Sequence, residues 1–195
     1  MRIALNYSMK KVVNKHSKVI ETITNHLKGI ISRSDNFNNE QLRELVENTV
    51  FESNYISIID YNEITEIINA IFLRVSSKYS ILSKYIEDPH INEIMVNGYN
   101  RIFVEKDKQI IEVDNSFYSA DELEGLIRMF ASDVHREINE ANPIVDARLE
   151  NGYRVNGVLK NVALNGPILT IRKFANDEIT LEDLVKNDTM PQECS

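Results

Sequence analysis

The apolar positions of this chain change period partway along it. From Val12 the stripe runs Val12, His16, Val19, Ile20, Ile23, Leu27 and Ile30, steps of three and four that predict an amphipathic helix. Ser34-Asp35-Asn36-Phe37-Asn38-Asn39 breaks it, and a second stripe follows at Leu42, Leu45, Val46, Thr49 and Val50. A third runs through Ile64, Ile67, Ile68, Ile71, Phe72 and Val75, opened by Asp60 with Glu63 three residues on, a capping-box pattern. Residues 1–76 therefore predict a three-helix bundle, and no motif in it names a function.

From Tyr79 the period shortens. Ser80 to Ile86 predicts one short helix stopped by Pro89. Strand signals begin at Glu93-Ile94-Met95-Val96, turn at Asn97-Gly98-Tyr99-Asn100, and continue as Arg101 to Glu105 paired through Lys106-Asp107-Lys108 with Gln109 to Val113. Ser119 and Glu122 form another capping box, and the helix they open carries Leu123, Leu126, Ile127, Phe130, Val134 and Ile138 on one face. Two hairpins separated by a helix predict an α+β unit over residues 79–176, with a mainly antiparallel sheet and flanking helices.

Composition narrows the function classes. Hydrophobic residues make up 43% and charged residues 27% of 195, ordinary for a globular chain, so disorder is not the expectation. No apolar run approaches the ~20 residues needed to span a bilayer. The single cysteine, Cys194, excludes an intrachain disulfide framework. Residues 1–33 carry seven Lys/Arg against one acid, a local +6, which leaves −14 on the remainder of a chain whose net charge is −8. An acidic body argues against general nucleic-acid binding. The basic arm is either a solvated helix face or a contact for an acidic partner or anionic membrane. His16, His26, His90 and His135 have no metal-ligand spacing. Glu137, Glu140, Glu182 and Asp183 read as solvated carboxylates, the last two in a short helix at Thr180 to Val185.

The chemistry concentrates in three arginines, Arg148, Arg154 and Arg172. Val145 to Leu149 and Tyr153 to Leu159 flank Glu150-Asn151-Gly152. A two-residue Asn151-Gly152 loop would set Arg154 opposite Leu149, mixing charge and core. A three-residue loop with Gly152 left-handed pairs Leu149 with Tyr153 and Arg148 with Arg154. The apolar face is then Val145, Ala147, Leu149, Tyr153, Val155 and Leu159. The polar face is Asp146, Arg148, Arg154, Asn156 and Lys160, with Val158 the exception. That clean partition favours the longer loop. Leu169 and Ile171 face inward on the same logic, leaving Thr170 and Arg172 outward. Should this strand lie beside the hairpin, three guanidiniums share one polar face suited to phosphate or carboxylate. Spacing alone leaves the other reading open, that these are surface arginines paired with Asp146 or Glu150.

Residues from about Tyr79 to Leu184 resemble the N-terminal domain of the type II/type IV secretion ATPases, closest to the CpaF-type ATPases of Tad pili. The resemblance rests on Asp88-Pro89-His90-Ile91-Asn92-Glu93-Ile94-Met95-Val96-Asn97-Gly98, Arg101-Ile102-Phe103-Val104-Glu105, and Ile138-Asn139-Glu140-Ala141-Asn142-Pro143-Ile144-Val145-Asp146-Ala147-Arg148-Leu149. It continues through Asn151-Gly152-Tyr153-Arg154-Val155-Asn156, Ala163-Leu164-Asn165-Gly166-Pro167 and Leu169-Thr170-Ile171-Arg172-Lys173-Phe174. It implies a PAS-like fold that sits on a RecA-like motor domain in a hexameric ring. It also implies that Arg154 and Arg172 reach the phosphates of nucleotide held by the motor, with Arg148 at a family position of less defined role. Tyr153 stands where relatives often carry a small polar residue.

The departure from the family is larger than any substitution. None of the six glycines precedes a lysine, so the chain has no G-x-x-x-x-G-K-[ST] phosphate loop. The expectation is an excised N-terminal piece or a truncated gene product, with residues 177–195 as the start of a linker to a missing motor domain. ATP, with Mg, would be bound mainly by that motor domain and not by this chain alone, which should not hydrolyse ATP by itself. The implied partners are the chain's own motor domain, neighbouring subunits of a hexamer and inner-membrane platform proteins. The implied location is cytoplasmic, peripheral at the inner face of the cell membrane. The rival expectation is a stand-alone PAS-like interaction or sensory domain that uses no nucleotide. A phosphate-loop motif in the reading frame downstream of Ser195 decides between them.

Overall fold

A computed structural model describes residues 10–33 and 37–173. The expected helix at Thr180 to Val185, the linker at 177–195 and Cys194 lie outside the described residues. The helices are α1 (Ser17–Ile31), α2 (Asn39–Glu52), α3 (Tyr61–Val75), α4 (Ser83–Glu87) and α5 (Ala120–Asp133). The strands are β1 (Ile91–Asn97), β2 (Ile102–Lys106), β3 (Gln109–Val113), β4 (Ile144–Arg148), β5 (Arg154–Val158) and β6 (Ile168–Arg172). The fold is α+β, as the change of period predicts.

The three predicted helices form and bury their stripes: Val19, Ile20, Ile23 and Leu27 of α1, Leu42, Val46 and Val50 of α2, and Ile64, Ile67, Ile68 and Ile71 of α3. Their boundaries differ from the expectation in instructive ways. The first stripe is not one unbroken helix. Residues 10–15 are helical, and the backbone turns at His16 (φ −111°) before α1 begins. Asn38, read as part of a break, caps α2 in a full capping box with Gln41. Asp60 does cap α3, accepting from the Asn62 amide, but Glu63 does not close the box. Its carboxylate instead takes Lys15 at 2.7 Å and His16 at 2.8 Å, tying the start of α3 to the turn before α1.

The six strands make one sheet in the order β3-β2-β1-β6-β5-β4, every neighbour antiparallel. Two three-stranded meanders join where β1 pairs with β6, and α5 makes the crossover between them. Alternation puts Ile94, Val96, Ile102, Val104, Val145, Val155, Leu169 and Ile171 on one face, all buried. α5 lies against that face with Leu123, Ile127 and Phe130, and Phe130 stacks on Tyr79 at 5.3 Å. Gly157 permits this approach, since a Cβ there would stand 2.6 Å from Ile127 Cγ2.

Two sequence expectations fail locally. The helix opened by Ser119 ends at Asp133, and Val134 and Ile138 are not on it. His135 takes a left-handed conformation (φ 54°), which turns the chain so that Ile138 reaches the same core by a loop. The β2–β3 link is also shorter than the expected three residues. Lys106 pairs with Gln109, leaving Asp107 and Lys108, both at positive φ (51° and 60°), as the turn. That is the left-handed conformation at both turn residues that a two-residue hairpin needs to match the right-handed twist of its strands, supplied without glycine.

The apolar interior falls into two clusters, one among the helices of residues 12–71 and one between sheet and α5. They meet at a buried arginine. Arg74 of α3 donates Nε to Glu122 Oε1 at 2.7 Å, Nη1 to the Ala70 carbonyl at 2.8 Å and Nη2 to the Ser116 carbonyl at 2.9 Å. Its guanidinium also lies 5.3 Å from the Tyr118 ring centroid.

Candidate functional site

The face of the sheet opposite α5 carries the arginines. The hairpin between β4 and β5 closes with the three-residue loop: Leu149 N donates to the Tyr153 carbonyl at 2.8 Å, and Gly152 sits at φ 86°. Arg148 therefore stands directly opposite Arg154, as the face partition requires. The next strand completes the row, because Arg154 is opposite Arg172 and Arg172 is opposite Glu93 of β1. Glu93, Arg172, Arg154 and Arg148 thus cross four strands in one line. The adjacent line on the same face runs Asp146, Asn156, Thr170 and Met95.

Like charges directly opposite one another across strands are destabilising, so three consecutive guanidiniums need compensation. Part comes from neighbouring carboxylates. Arg154 grips Asp146 with both arms of its fork, Nε to Oδ1 at 3.0 Å and Nη2 to Oδ2 at 2.7 Å. Arg172 donates Nε to Glu93 Oε1 at 3.1 Å. The Arg154 fork holds the Asp146 carboxyl below its ordinary value, and Asp146 in turn raises the guanidinium. Arg154 and Arg172 remain 63% and 66% exposed. Together with Glu93, Asp146, Asn156 and Thr170 they line an open recess of about 340 Å³.

Both open readings from the sequence find something here. The guanidiniums share a polar face, and one of them is paired with Asp146. Glu150, the other expected counter-ion, is not the partner of Arg154 or Arg172 among the described residues. Glu93 is the carboxylate that sequence reasoning missed, because its partner is 79 residues away. Lys173, next to Arg172, turns out of the row: its Nζ donates to the Asp88 carbonyl and lies 5.8 Å from the Tyr153 ring centroid. Burial lowers its pKa. Tyr153 therefore covers a lysine and does not obstruct Arg154.

The basic arm is partly neutralised within the chain, through Lys15 to Glu63 and Lys10 to Glu112 at 3.6 Å. Among the described residues no helix is long and apolar enough to cross a membrane.

No protein-family model matches the chain. It is 31% identical over 187 residues to the uncharacterized protein MJ0781 of Methanocaldococcus jannaschii, a match covering 95% of this chain and 24% of that protein. It is 29% identical over 111 residues to the type IV secretion system protein VirB11 of Bartonella henselae, covering 56% of this chain and 31% of the relative. Among solved structures it is similar to the VirB11 ATPase of the Brucella suis type IV secretion system in complex with sulphate. That similarity has 26% identity and a TM-score of 0.49, over 61% of this chain and 36% of the other. The chain thus spans about a quarter of the first relative's length and under a third of the Bartonella henselae VirB11. The sequence similarity to the type IV secretion system proteins VirB11 extends over 111 residues of this chain.

Proposed function

We propose that this chain is the non-motor N-terminal module of a hexameric secretion or pilus-assembly ATPase, and that it presents Arg154 and Arg172 to the phosphates of nucleotide held by another domain. The observation that carries this reading is the line of guanidiniums at consecutive cross-strand positions on an open sheet face. Fold stability does not ask for such a line, and anion binding does. Similarity to VirB11, a type IV secretion system protein, gives the reading its context.

In this reading residues 1–76 form a helical module and residues 79–176 a PAS-like one. Arg154 and Arg172 place positive charge where a terminal phosphate gains negative charge during transfer, and Arg148 extends the field. The site fits a phosphate and not a whole nucleotide. Its lining is four charged and two polar side chains with no apolar wall for a base, and the chain has no phosphate loop. ATP and its magnesium would therefore be held mainly by a motor domain, with this module sensing the phosphate, helping the ring assemble and coupling nucleotide state to domain motion. The CpaF-type pilus ATPases remain the family branch that the motifs resemble, with membrane platform proteins as the partners and a peripheral position at the inner face of the membrane.

The test is Arg154→Ala in a protein that joins this chain to its nucleotide-binding domain. The reading expects ATPase activity to fall by about a hundredfold, the scale of losing one preorganised charge donor, with the hexamer intact. Undiminished activity removes Arg154 from the site.

A further inference from the structure

The recess around Arg154 and Arg172 carries its own anions. Two guanidiniums face two carboxylates, so the formal charge of the recess lining is zero. Yet the groups that cancel it are held by the very donors a phosphate would need. Asp146 takes Nε and Nη2 of Arg154, the two arms that bind an oxyanion in bidentate fashion. Glu93 takes Nε of Arg172. Beside them, Asn156 and Thr170 are cross-strand partners lining the same recess, an amide and a hydroxyl that can both donate.

We propose that Asp146 and Glu93 are built-in competitors of the phosphate, occupying the forks of Arg154 and Arg172 until a phosphoryl group displaces them. The inference rests on the anion-site reading given above and adds its regulation. Exposure makes the exchange cheap on one side. Arg154 and Asp146 are 63% and 44% exposed, and such surface pairs hold each other weakly. Asp146 can swing into solvent while its guanidinium stays at the recess. Glu93 is only 15% exposed and yields less readily, so Arg154 is the first fork to be freed and Arg172 the second. A phosphate repays the exchange because it offers three acceptor oxygens and up to two charges, enough to span both guanidiniums at once. A single carboxylate satisfies only one. The result is a site that ignores monovalent carboxylates and weak anions and answers to a phosphate presented by a second domain.

The experiment is a titration of the 195-residue chain with inorganic pyrophosphate at low ionic strength. It compares the unaltered chain with Asp146→Asn, Glu93→Gln and the double variant, each checked for an unchanged melting temperature. The double variant is expected to bind roughly tenfold tighter, the product of releasing two guanidiniums, one from an exposed carboxylate and one from a largely buried carboxylate, each by a factor of a few. Glu93→Gln should supply the larger part, because Glu93 is the competitor that yields less readily, and adding Arg154→Ala should erase the gain. Equal affinity in the unaltered chain and the double variant, still dependent on Arg154, overturns the competition and leaves the anion site standing. Absence of binding even in the double variant, whose forks are both released, overturns the competition, and binding that is indifferent to Arg154 in every variant removes the anion site itself and the competition with it.

Discussion

Two arginine–carboxylate pairs in this chain share the same chemistry and the same closest approach, 2.7 Å, and differ in everything else. Arg74 and Glu122 are 2% and 5% exposed and join the helical cluster to the sheet cluster; Arg154 and Asp146 stand 63% and 44% exposed on the open sheet face. Titration separates them. Burial pushes the Glu122 carboxyl above its ordinary value, against the pull of Arg74 and the Tyr118 amide. The Asp146 carboxyl, which keeps its water, is held below by the Arg154 hydrogen bonds. Where the environment outweighs the partner, the pair is a bolt whose members cannot be separated cheaply. Where the partner outweighs the environment, the pair is a loose contact that another anion can replace.

The largest test of this contrast is at the bolt. Arg74→Ala leaves Glu122 buried without its counter-ion and strips the Ser116 carbonyl of its donor. Urea denaturation should register a loss of about 3–5 kcal/mol. The replacement of both partners by apolar residues, Arg74→Met with Glu122→Leu, should cost less, about 2–3 kcal/mol, chiefly for the Ser116 carbonyl and the Tyr118 amide left unpaired. If the double change is as damaging as the single one, the junction depends on the charges themselves and not on avoiding an orphaned one.

A middle-sized effect concerns how Glu122 is seated. Ser119 accepts from the Glu122 amide at 3.2 Å and caps α5, while the Glu122 side chain reaches back to the Tyr118 amide at 2.7 Å and to Arg74. Glu122 is thus held at three points, one on its backbone and two on its carboxylate. Ser119→Ala should cost about 1 kcal/mol, an ordinary cap loss. A loss well above about 2 kcal/mol would mean that the cap also holds the bolt.

The two pairs were unequally legible in the sequence, for a physical reason. The Arg148–Arg154 pairing follows from local rules. Period-two alternation and a glycine that can turn left-handed fix the register over ten residues. Arg172 joins the row by the same alternation once β6 lies beside β5. The partnership of Glu93 with Arg172 is set by β1 pairing with β6, a contact between distant segments that no local pattern encodes. Arg74 left a faint signal: it continues the Ile67 and Ile71 stripe of α3, where a charge is out of place. Its partner, 48 residues on, is the glutamate expected to close a local capping box on Ser119, and that carboxylate instead takes the Tyr118 amide and Arg74. The positive φ at His135, Asp107 and Lys108 was illegible too, because residues other than glycine adopt it only when the surrounding fold enforces it.

The smallest expected effect is at the exposed pair. Asp146→Asn keeps the shape of the side chain and removes its charge, and the melting temperature at pH 7 should move by no more than about 2 °C. The pH profile should carry the difference. Because the folded value of Asp146 lies below the unfolded one, its contribution is fully present above the unfolded value and is lost as pH falls through the folded value. The unaltered chain should therefore lose stability slightly more steeply than Asp146→Asn when acidified below about pH 4. Glu63 and Asp88, also held low by hydrogen bonds, contribute acid sensitivity of the same sign in both chains. Parallel melting curves across that range would show that Arg154 does not favour the charged carboxylate in solution. A large drop at pH 7 would show that the open-face pair is a second bolt and not an exchangeable contact.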